Sequence, residues 1–72
     1  MPTLDLMNVN QEPPVRLDSV TLTDKGALNY EDDLIKDIFA TYVERGFPNE
    51  EIFDNFTGWS NGYLKLQLKA GD

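Results

Sequence analysis

Between positions 34 and 43 the residues Leu34, Ile35, Ile38, Phe39, Tyr42 and Val43 recur at i, i+1, i+4, i+5, i+8 and i+9. Only a helix of about 3.6 residues per turn gathers all six onto one side. Such a stripe must be covered by another apolar surface, so the rest of the chain is constrained to supply one. Asn29, with Asp32 three residues on, predicts the N-terminal cap, and Glu31, Asp32 and Asp33 complement the positive end of the helix dipole. Gly46 predicts the C-terminal stop, with Arg45 favourable at the negative end. Pro48 permits a second start, and Ile52, Phe53 and Phe56 repeat the apolar spacing over a shorter helix that Gly58 ends.

Two segments read as strands. Tyr63 to Lys69 alternates strictly, with Leu64, Leu66 and Leu68 on one face. Those leucines are expected to cover the stripe of the first helix. Val15 to Thr23 is rich in β-branched residues, but Val15 and Leu17 share one parity and Val20 and Leu22 the other. A bulge near Asp18 and Ser19 would reconcile them, because one extra residue resets a period of two. This strand is the expected neighbour of the 63–69 strand, and Asp24-Lys25-Gly26 reads as the turn that follows it.

Residues 1–14 read as an N-terminal arm. They end in Gln11-Glu12-Pro13-Pro14, and proline cannot donate a ladder hydrogen bond, so Thr3 to Val9 is at most an edge strand or a segment that orders on binding. All eight aromatic residues lie between Tyr30 and Tyr63, which centres the core on the C-terminal two thirds. The fold class expected is α+β: a single 15–72 domain with an antiparallel sheet of two to three strands packed on one long and one short helix. Trp59, between Gly58 and Ser60-Asn61-Gly62, is either a core residue capping the sheet or a contact aromatic on a loop.

Composition narrows the function classes. There is no cysteine and no histidine among the 72 residues, which removes disulfides, thiolate metal sites and the usual general base. Ser19, Ser60 and the threonines have no base to activate them, so the chain reads as non-catalytic and without a cofactor. No apolar run approaches the ~20 residues of a membrane span, and the first residues lack the features of a signal peptide, so a cytoplasmic location is expected. The net charge is −7. That charge disfavours nucleic acid and anionic membrane as partners and favours something basic.

The charge is also concentrated: residues 31–54 hold eight carboxylates against two cations, which accounts for −6 of the −7. At about 100° per helical residue, Asp33, Asp37 and Glu44 fall within about 40° of one another, opposite the apolar stripe. An amphipathic helix solvates its far face in this way whatever its function. Clustered carboxylates on a rigid helix can also imitate a phosphate backbone and occupy a cationic DNA groove. Glu31-Asp32-Asp33 and Glu50-Glu51 sit at predicted helix starts, where dipole complementation accounts for them without a metal ion.

The segment Val15-Arg16-Leu17-Asp18-Ser19-Val20-Thr21-Leu22 resembles the strand of phage uracil-DNA glycosylase inhibitors in which an acidic residue, a serine and a β-branched apolar residue follow one another. The resemblance implies that Asp18, Ser19 and Val20 contact the enzyme's DNA-binding groove. It further implies an apolar pocket between helix and sheet, for which Leu34, Ile38 and Leu66 are the candidate lining. The function expected is then a small acidic DNA mimic that blocks a host DNA-processing enzyme from within the host cytoplasm, with uracil-DNA glycosylase the named target. The alternatives are an anti-restriction or anti-CRISPR protein using the same acidic helix, and a structural module whose arm and last strand build a homodimer or larger oligomer.

Overall fold

The computed structural model describes residues 1–69; the last three residues of the expected 15–72 domain lie outside them. The elements in chain order are β1 (Thr3–Asn8), β2 (Val15–Leu22), β3 (Leu28–Tyr30), α1 (Asp33–Glu44), α2 (Asn49–Phe56) and β4 (Leu64–Leu68). The class is α+β, with one antiparallel sheet in the order β3-β2-β1-β4 and both helices packed on the same core. The sheet therefore has four strands, where two to three were expected.

The additional strands come from segments that look weak locally. Thr3–Asn8 is an interior strand, paired with β2 on one side and β4 on the other, and is neither an arm nor an edge. Leu4 and Leu6 point into the core and are fully buried, while Thr3, Asp5 and Met7 take the opposite face. The two prolines fall in the connection after Asn8, where no ladder donor is needed. β4 pairs with β1, with Leu66 opposite Leu6, so the expected pairing of the first and last predicted strands is replaced by insertion of β1 between them. Leu66 joins Ile35 and Phe39 in the shared core, while α1 makes its main sheet contacts with β2 and β3.

The parity break in β2 is resolved by a bulge, as expected, but one residue earlier. Pairing passes from Leu6–Asp18 to Met7–Arg16 and leaves Leu17 as the extra residue. Val20 is thereby returned to the core face opposite Leu4. The cap of α1 also differs: Asp32, not Asn29, accepts the Leu34 amide on its Oδ1 at 3.2 Å. Asn29 stands in β3 opposite Thr21, because pairing with β2 holds the chain extended through Tyr30.

Gly46 ends α1 at φ +79°. Its amide donates to the Val43 carbonyl and the Phe47 amide to the Tyr42 carbonyl, a Schellman pattern, and the rings of Tyr42 and Phe47 meet at 5.1 Å between centroids. A side chain is strained in that left-handed conformation, so Gly46→Ala is expected to lower stability by about 1 kcal/mol. A urea midpoint equal to that of the wild type would show that the motif relaxes without cost.

The core consists of Leu4, Leu6, Val20, Ile35, Phe39, Ile52, Phe53, Phe56 and Leu66. Phe56 is its hub, with ring centroids 4.8 Å from Phe39, 5.0 Å from Tyr42 and 6.1 Å from Trp59. Trp59 thus packs against the core while remaining partly accessible. The backbone of Gly58 and Trp59 exchanges bonds with the outer edge of β4, through Leu66 N–H to the Trp59 carbonyl and Gly58 N–H to the Leu66 carbonyl. That edge of the sheet is covered. No helix among the described residues is long and apolar enough to cross a membrane.

Candidate functional site

Both helices bury one face on the common core, so their opposite faces look away from the sheet on the same side of the molecule. On α1 that outer face carries Asp33, Asp37 and Glu44; on α2 it carries Glu50, Glu51 and Asp54, and all six are exposed. From Asp33 to Glu44 the helix rises about 16 Å, roughly the length of five phosphates along one DNA strand. One row of three acids is sparser than that strand. The second row adds three more exposed carboxylates on α2, which shares its core with α1.

The opposite face of the sheet has a different character. Arg16, Met7 and Lys65 lie across it in register, with Asp5 beside Ser19 and Gln67 in the next row. The Thr3 and Thr21 hydroxyls meet there at 2.9 Å. Charge is therefore polarised between an acidic helix side and a mixed sheet side, an arrangement that orients the molecule in the field of a basic partner.

The residues singled out by the resemblance are not gathered into one site. Val20 and Leu66 are fully buried and Ile38 packs on the core, so none of them is free to line a pocket. Leu34 is exposed although its neighbour Ile35 is buried, and Ser19 is partly accessible on the sheet side. Asp18 is only 4% exposed, and its side chain points to the core face opposite Leu6. As placed, Asp18 and Val20 do not contact a groove.

Asp18 has a structural task instead. Leu22 donates its amide toward Pro2 in the direction of β1, so by antiparallel alternation the Ser19 amide points the other way, past the end of β3. Asp18 Oδ1 accepts that amide at 2.7 Å, capping a donor that has no strand partner. Its other oxygen, Oδ2, is buried and has no hydrogen-bond partner among the described residues. Asp18→Ala leaves the Ser19 amide without its acceptor, so it is expected to destabilise the fold by about 1–3 kcal/mol. An unchanged urea midpoint would mean that the Ser19 amide finds water or another acceptor at no cost.

A pocket between helix and sheet does exist, in a different place from that expected. It is a groove of about 430 Å³ between β3 and the flank of α1, lined by Ala27, Leu28, Tyr30, Phe39, Ala40 and Val43, with Lys36, Glu44 and Asn49 at its polar margins. The start of α2 is tied to the β2–β3 turn by Asn49 Nδ2 donating to the Gly26 carbonyl at 2.9 Å. Of these lining residues only Phe39 and Val43 belong to the stripe visible in the sequence. Ala27, Leu28 and Tyr30 form too short a run to stand out from a turn, and Ala40 reads as a neutral helix former. Comparison with protein-family models, with curated proteins and with solved structures yields no match, so the reading of the surface rests on its own geometry and charge.

Proposed function

We propose that this protein is a non-catalytic acidic inhibitor that binds the cationic groove of a DNA-processing enzyme in place of DNA. The observation that carries this reading is the pair of acid rows, Asp33/Asp37/Glu44 and Glu50/Glu51/Asp54, held on one side of the fold by two helices that share a core. Rigid display matters because a preformed anionic surface gains attraction to a basic groove without the entropic cost of ordering a tail. Uracil-DNA glycosylase is the first enzyme to test, on the strength of the resemblance in residues 15–22. With Asp18 and Val20 inward, the contact would be made by the helix side.

The test is inhibition of uracil excision by purified glycosylase, with the protein titrated to stoichiometry at several salt concentrations. Inhibition that weakens steeply as salt rises, through a falling association rate, is the expected result. A glycosylase unaffected at stoichiometric protein removes that target and directs the same assay to restriction and CRISPR nucleases. Salt-independent inhibition would reject mimicry of DNA for whichever enzyme shows it. The oligomer reading loses its main support, since Thr3–Asn8 is already paired on both edges and is not free to bridge two copies.

A further inference from the structure

Among the described residues nothing pairs with the outer edge of β3, in contrast to the edge at β4. The Thr23 amide donates to the Ala27 carbonyl, which sets the phase of the β2–β3 ladder. In that phase Thr21 and Asn29 exchange hydrogen bonds, while the paired residues Leu28–Leu22 and Tyr30–Val20 do not. The backbone N–H and C=O groups of Leu28 and Tyr30 therefore point outward from the sheet. The side chains of the same two residues line the 430 Å³ groove. A strand laid along this edge would gain backbone hydrogen bonds and, with every second side chain, reach the apolar groove.

We propose that the β3 edge and its groove form a docking site for an extended, cationic segment of a partner protein, added as a fifth strand. The charge around the site selects the occupant. Glu44 borders the groove, Glu31 follows Tyr30 directly, Asp24 lies in the preceding turn and the Glu50 carboxylate lies over Gly26, against the two cations Lys25 and Lys36. An alternating segment can place apolar side chains toward Ala40 and Val43 while basic residues meet the carboxylates. A second copy of this chain fits poorly, because each copy carries a net charge of −7 and β3 offers only three residues for pairing. This site is independent of whether the partner handles DNA.

The probe is a capped seven-residue peptide alternating lysine and valine, titrated into isotope-labelled protein and followed by amide shifts and hydrogen exchange. Saturable binding is expected, with the Leu28 and Tyr30 amides slowed in exchange by about tenfold or more. Val43→Lys places a cation at the mouth of the groove on a residue that is 56% exposed, so folding is spared and affinity is expected to fall by about tenfold or more. Tyr30→Pro removes an outward donor without touching the bonds of Asn29, and is expected to weaken binding likewise. Asp33→Asn with Asp37→Asn, neither of which lines the groove, should change peptide affinity by less than about threefold, which separates this site from the acid rows invoked for inhibition. The proposal is overturned by any of four results: no binding at millimolar peptide, equal binding of a peptide with its lysines and valines in two blocks, unchanged affinity in Val43→Lys, or self-association through β3 in place of peptide binding.

Discussion

Phe39→Ala is expected to leave this protein largely unfolded at 25 °C. The ring is 1% exposed, lies 4.8 Å from that of Phe56 and joins α1 to the aromatic hub of α2. Truncating a buried phenylalanine to alanine costs about 3–5 kcal/mol, counting both lost transfer energy and the cavity left behind. A chain of 72 residues has a total stability of about 4–11 kcal/mol, and small domains sit toward the low end of that range. The loss is thus comparable with the whole. Circular dichroism with urea unfolding would measure it, with Val43→Ala as the control on an exposed position of the same helix, expected within about 0.5 kcal/mol of wild type. A Phe39→Ala midpoint lowered by less than about 1 M urea, close to 1 kcal/mol for a chain this short, would show that the helices close over the gap.

The second large effect concerns binding. Asp33→Asn, Asp37→Asn and Glu44→Gln together remove three of the six carboxylates on the helix side while preserving shape and hydrogen-bonding capacity. All three positions are exposed, so the fold is expected to unfold at nearly the same urea concentration. Electrostatic steering raises association rates by about 10- to 1,000-fold, so the triple variant should bind a basic DNA-processing enzyme at least about tenfold more slowly. Its residual association should also depend less on salt. Surface plasmon resonance across an ionic-strength series resolves both quantities. An unchanged association rate would mean that the acids only solvate the helix, and the inhibitor reading would fail with it.

The helices were legible in the sequence because their determinants are local. The spacing of Ile35, Phe39 and Tyr42, the left-handed Gly46 and the restart at Pro48 all act within one or two turns. The cap shows where local signals reach their limit. Asn29 and Asp32 are both good caps, and the choice between them was made by pairing of Asn29 with Thr21, a contact that no helical periodicity reports.

Asp18 illustrates the same limit for the site. Its position in a strand was legible, as was a nearby bulge, but the bulge falling on Leu17 decides which face the carboxylate takes. A shift of one residue carries every side chain beyond it to the other side of the sheet. The acid rows behave differently, because each is periodic within its own helix and could be read individually. Their alignment on one side of the molecule depends on both helices choosing the same face of the sheet.

By itself, then, the sequence determined two amphipathic helices with acidic outer faces, the turn at Gly26 and an alternating last strand. Tertiary structure alone decided that Thr3–Asn8 lies inside the sheet, that Leu64–Leu68 pairs with it, that Asp18 turns inward and that β3 keeps an open edge beside a groove. The physical reason is the range of the interactions. A helix satisfies its backbone within four residues, whereas a strand takes its hydrogen bonds from partners far along the chain, so its neighbours and its exposed edge exist only once the sheet has assembled.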